Sequence, residues 1–195
     1  MACLLTIQYL KKYTRNIIAM KNQLFVLLCI TISSFSLAQV AIGKDILTNS
    51  NVSLEFGSDV LEKKGMVLPW VTSSMAVIGA VDGTIIFDTT DYKVKYKKSG
   101  NWFDLSVDDN GSANTNLQDA KSDLVDSKVV IGKDGATDDT PGILVLSDVD
   151  KAMVLPLVYE PHLNIKNPTA GTMVYDTKNR QLVLYNGTNW SFWKP

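Results

Sequence analysis

From residue 39 onward the chain alternates short apolar runs with clusters of Gly, Pro, Asn, Asp and Ser, the rhythm of short strands joined by turns. Val94 and Tyr96 alternate with Lys93, Lys95 and Lys97, which predicts a strand with one wet face. "QLVLY", Gln181–Tyr185, is built from β-favouring residues. In "NWSFW" the alternation sets Trp190 and Phe192 on one face and Ser191 and Trp193 on the other. Between these runs Asn186 and Gly187 both tolerate positive φ and predict a tight turn. Gly171 leads into a strand at Thr172–Tyr175, and "DTKNR" follows with turn chemistry. The same order occurs earlier as "TIIFD", "YKVKY" and "NWFDL".

Upstream of each such meander stands a strand-like piece, "NVSLEF" or "ILVL", then "MVLP", stopped by Pro69 or Pro156. A helical turn is expected next. Thr72 or Ser73 can cap it in the first case. In the second, Pro161 stands where a first helical residue would, followed by "HLNI". The fold class this predicts is mainly β: two tandem small β-meander or hairpin modules, each with a short helical turn, plus an N-terminal signal-peptide helix.

The two meanders are copies. "GTIIFDT" at Gly83–Thr89 returns as "GTMVYDT" at Gly171–Thr177. "VAIGKD" at Val40–Asp45 matches "VVIGKD" at Val129–Asp134, and "KKGMVLP" at Lys63–Pro69 matches "DKAMVLP" at Asp150–Pro156. Tyr96 and Trp102 in "YKKSGNW" are matched to Tyr185 and Trp190 in "YNGTNW". Offsets of 87 to 89 throughout mark an internal duplication. The modules are residues 40–106 and 129–195. Residues 107–128 are rich in Asp, Asn and Ser and read as a polar linker. Leu117 and Leu124, seven apart, are the alternative's only support, a short helix or stalk.

The N-terminus reads as an address. Met20-Lys21 opens a short basic segment, Leu24–Leu37 is a mainly apolar core, and "SLA" at Ser36–Ala38 offers small residues before a cut. The core is too short for a good membrane span. Residues 1–38 are therefore expected to be a signal peptide, with Met20 as the natural start. Its removal takes Lys11, Lys12, Arg15 and Lys21, leaving 15 basic and 20 acidic residues, a net −5. Such a chain has no basic footprint for nucleic acid and no membrane span. It also loses Cys3 and Cys29, the only cysteines, and with them any disulfide or thiolate chemistry. The expected location is across the inner membrane: periplasmic, outer-membrane-associated or extracellular.

The pattern resembles a repeat family of secreted Bacteroidota proteins, whose members run "QVGIGT", a "KGFLPPR"-like segment, "GLLVYDT" and "YNGxxW". Here "QVAIGK" stands at Gln39–Lys44, "KGMVLPW" at Lys64–Trp70, "GTMVYDT" at Gly171–Thr177 and "YNGTNW" at Tyr185–Trp190. The chain departs from the family at Trp70, where Pro-Arg is usual. Such modules occur in cell-surface and tail-fibre-like proteins. The resemblance implies a non-enzymatic structural or adhesion role, with self-assembly, as a trimer by analogy with fibres, or binding to other surface proteins.

Candidate chemistry is sparse. The only histidine, His162, has no repeat counterpart, so a hydrolase working through it is the weakest reading; a helix-surface histidine is expected. Asp108, Asn110, Ser112 and Asp119 fall at positions 1, 3, 5 and 12 of an EF-hand-like loop, but Ala113 stands where Gly is needed and Asp119 replaces the bidentate Glu. No catalytic residue, metal site or cofactor is expected. Trp193, Trp190, Tyr185, Trp102 and Tyr96 crowd the hairpin ends and are the candidate ligand-binding set, for stacking on a glycan. The competing reading is that they fill a small core.

Overall fold

The computed structural model describes residues 13–25, 39–57, 63–122, 124, 127–132 and 135–194. The chain divides into two compact units, residues 1–37 and 38–195. In the first, residues 13–25 are helical and exposed. Most of the apolar segment Leu24–Leu37 and the cleavage position at Ala38 lie outside the described residues. No helix among those described is long and apolar enough to cross a membrane.

The second unit is mainly β and carries the duplication strand for strand. Its first module comprises β1 (Val40–Ile42), β2 (Val52–Phe56), β3 (Met66–Val67), β4 (Trp70–Val71), β5 (Ile85–Asp88), β6 (Lys93–Lys98) and β7 (Asn101–Asp104). Its second comprises β8 (Val129–Ile131), β9 (Leu144–Leu146), β10 (Ala152–Val154), β11 (Leu157–Val158), β12 (Thr172–Asp176), β13 (Gln181–Tyr185) and β14 (Trp190–Trp193). The expected helical turns are both present. Ser73 caps a 3-10 turn at Ser74–Ala76, its hydroxyl accepting from the Met75 N–H at 3.0 Å. Pro161 begins the short helix Pro161–Asn164.

Sheet order repeats as well. β4-β5-β6-β7 and β11-β12-β13-β14 are the same four-strand arrangement, a parallel pair followed by two antiparallel ones. β1 lies parallel to β2 with Val40 opposite Leu54, as β8 lies parallel to β9 with Val129 opposite Leu144. Tyr92 and Arg180 occupy the same left-handed turn position, φ 57° and 55°.

Two details depart from the sequence reading. Ile85 pairs with Tyr96, whereas its counterpart Met173 pairs with Leu184. Tyr96 therefore corresponds to Leu184, and Tyr185 corresponds to Lys97. A one-residue shift in a strand reverses the face, so the two tyrosines point to opposite sides of their sheets. The second departure concerns the hairpins. Ser99 and Gly100, φ 50° and 75°, make the two-residue turn. Asn186-Gly187 instead opens a four-residue loop in which Asn186 Oδ1 accepts from the Thr188 and Asn189 N–H groups at 2.9 and 2.6 Å.

The modules share one core. Leu68, Phe87 and Val94 of the first pack with Ala170, Met173 and Leu184 of the second, all buried. A smaller cluster, Val158, Val174 and Val183, fills the other face of the second sheet. Lys95 occupies the place of Val183 in the first sheet, so that face is charged: Lys95 Nζ reaches Asp88 at 3.1 Å and Asp91 at 2.6 Å.

Candidate functional site

The repeated "G-T-x-x-aromatic-D-T" is the natural place to look for a site, and each of its polar residues has a structural task. Gly83 and Gly171 take φ of 90° and 77°, where a side chain would be strained. Thr84 and Thr172 donate their hydroxyls back to the carbonyls of Val81 and Thr169, at 2.7 and 2.5 Å. The second threonine of each motif donates its N–H to the parallel neighbour, Thr89 to Val71 and Thr177 to Val158. Asp88 and Asp176 are buried clamps. Asp88 accepts from the Ser74 and Thr90 N–H groups at 2.8 and 2.9 Å. Asp176 accepts from the Lys178 and Glu160 N–H groups at 2.9 and 3.3 Å and from Asn179 Nδ2 at 2.8 Å. Each clamp ties the hairpin turn to the helical turn.

Burial pushes both carboxyls up, but the hydrogen bonds outweigh it. Asp88 is held below its ordinary value by Ser74, Thr90 and Lys95, and Asp176 by Asn179, Lys178 and Glu160. A third buried carboxylate, Glu55, is brought down to about 2 by Lys44, whose Nζ lies 2.5 Å away, and by the Thr48 hydroxyl and N–H. Because all three are lowered on folding, their contribution is complete above the unfolded values near 4.5 and 3.8 and is lost as pH falls below them. The thermal midpoint is therefore expected to drop between about pH 5 and about pH 2, and to drop less in Glu55→Gln, as read by circular dichroism.

The five candidate aromatic residues do not converge. Tyr96 stacks on Phe103 at 5.6 Å on one face of the first sheet. Trp102 lies under Lys97 Nζ at 5.5 Å on the opposite face. Tyr185 and Trp190 pack against each other at 4.9 Å, and Trp193 stands half exposed on the other face of that sheet. The cross-strand position that is Tyr–Trp in the second module is thus Lys–Trp in the first. His162 is exposed and meets Phe192 edge-on at 5.4 Å. No group of three or more His, Cys, Asp or Glu among the described residues is placed to hold a metal. The EF-hand-like stretch is engaged otherwise: Asp108 O accepts from Asn186 Nδ2, Asn110 Oδ1 accepts from Asn189 Nδ2, and Ser112 donates its N–H to Asn186 O. The first part of the linker is thereby strapped to the 186–189 loop. Leu117 and Leu124 are exposed, and Leu117 lies within the turn at 116–120.

What sequence reasoning missed is the seam between the modules. β3 of the first module adds to β12 of the second, antiparallel, with Val67 opposite Thr172 and Met66 opposite Met173. β10 of the second adds to β2 of the first, parallel. The identical "MVLP" segments are thus traded. Trp70 donates its indole N–H to Ala170 O at 2.8 Å across the seam. Gly171 is held so close that a β-carbon there would meet Phe87 at 3.1 Å.

Residues 131–194 match the family model described as the phage tail like trimerisation region. The matched span runs from the end of β8 through β14, which is the second module. No curated protein and no solved structure matches the chain. The match fits a structural, tail-fibre-like protein and supports a homo-oligomer.

Proposed function

We propose that this chain is a non-enzymatic structural protein that is exported across the inner membrane and works as a homotrimer, presenting β surfaces to itself or to other surface proteins. The observation that carries the reading is the match of the trimerisation model to residues 131–194, nearly all of the second module. Two features support it. The polar residues of the repeated motif are engaged in contacts that hold the turns, which supports a structural task for them. The Met20–Ala38 layout supports export. Multi-angle light scattering of the purified protein is expected to give three times the mass of one chain over a wide concentration range. A monomer at every concentration would remove the proposal.

A further inference from the structure

The traded strands define two half-sites, and each is filled in only one module. The edge of β12 at Gly171–Met173 is covered by β3, with Leu68 donating to Gly171 O at 3.0 Å, and Thr172 and Met173 are 2% exposed. The same edge of β5 has the same backbone: Gly83 N–H bonds Lys97 O as Gly171 N–H bonds Tyr185 O. Yet among the described residues no strand lies on it, and Thr84 and Ile85 are partly exposed. Likewise β2 is covered by β10 and Leu54 is 1% exposed, whereas on β9 the corresponding Leu144 is 42% exposed with no strand beyond it among the described residues.

The repeated prolines explain why such half-edges exist. Pro69 O and Pro156 O accept from the Phe87 and Tyr175 N–H groups, but proline has no N–H. The parallel pairing of β4 or β11 therefore cannot extend further up its neighbour, and that stretch is left for another strand.

We infer that the open half-sites at the two ends of one chain are filled head to tail by a second copy of the same chain. Its β5 edge takes β10 of the preceding copy, antiparallel, with Thr84 opposite Val154 and Ile85 opposite Met153. Its β3 lies parallel along β9 of that copy. This repeats between chains the exchange already made within one. A strand has two edges, so β10 can keep β2, to which Ala152 is bonded, while offering Met153 and Leu155 on the other side. The interface is heterologous, and such interfaces close into rings or run on as filaments. Closure at three copies fills both half-sites in every copy, which is why the inference rests on the trimer reading. One misfit separates the interchain pairing from the intrachain one. Ala152 replaces Gly65, whose β-carbon position would overlap the Thr172 methyl, so the Ala152 methyl must displace that of Thr84.

The test uses Thr84→Cys with Val154→Cys in a chain carrying Cys3→Ser and Cys29→Ser. By correspondence with Thr172 and Val67 this is a pair whose side chains approach closely across strands. Oxidation is expected to link chains into dimers and trimers on a non-reducing gel, and neither single-cysteine variant should form the trimer. A trimer by light scattering with no interchain link, or with a link confined to one chain, overturns the inference and leaves the trimer reading standing; a monomer overturns both. Ala152→Gly is expected to keep the assembly together to several-fold greater dilution, and dissociation at the same or higher concentration counts against the pairing.

Discussion

Asp176→Ala is expected to cost about 3 kcal/mol of folding stability, because it removes the shared buried acceptor of several charge-assisted hydrogen bonds at once. The carboxylate is fully buried and accepts from the Lys178 and Glu160 N–H groups and from Asn179 Nδ2. Lys178 and Asn179 lie at the surface and Glu160 is half-buried, so the loss comes from breaking charge-assisted bonds that hold the turn, with a partial desolvation penalty for the donors. Asp176→Asn keeps the volume and one oxygen but faces an N–H donor with its own NH2, and should lose roughly half as much. Urea midpoints at a fixed chain concentration measure both, since association shifts the apparent stability. A loss under about 1 kcal/mol for Asp176→Ala would mean that the motif's aspartate does not clamp the turn. The same substitution at Asp88 carries an added term, because it leaves Lys95 with Asp91 as its remaining acidic partner.

How much of this was legible in the sequence differs by level. Strand order, the Ser73 cap and the Pro161 helix start could be read because each depends on local residue chemistry. The alternation of Lys93, Lys95 and Lys97 with Val94 and Tyr96 marks the charged face of β6, but that face is half-buried and not wet, with Lys95 set against the buried Asp88. The equivalence of Tyr96 with Tyr185 does not hold, because matching residue identity does not fix register. Asp88 to Asp176 and Trp102 to Trp190 both give an offset of 88, and holding that offset through the strand pairs Tyr185 with Lys97. A period of two punishes such a slip fully.

The traded strands were not legible at all. "MVLP" is the same text in both modules, but β3 runs antiparallel on β12 while β10 runs parallel on β2. A two- or three-residue strand carries too little pattern to name its partner. The partner is set by which edges proline leaves open and by a nonlocal core. The strapped linker is a similar case: a polar composition reads as solvated, yet its backbone bonds to the 186–189 loop, where Asn186 is 1% exposed.

Phe87→Ala is expected to be the most damaging single change, at about 4 kcal/mol. Phe87 is fully buried and is the largest side chain in the core that both modules share. Truncation removes the transfer energy of a phenyl ring and leaves a void that its neighbours cannot easily fill. Trp70 is held by its bond to Ala170 O, and Gly171 is fixed by its backbone conformation against the same ring. The neighbours belong to both modules, so the damage should not stay in the first. Met173 and Leu184 lose their packing partner although they lie nearly a hundred residues away. Unfolding should therefore remain a single transition, displaced to lower denaturant, with module-two hydrogen-exchange protection falling together with that of module one. If only residues 40–106 lost protection while residues 129–194 kept theirs, the two copies would be independent folds, and the reciprocal strand exchange would contribute nothing to either.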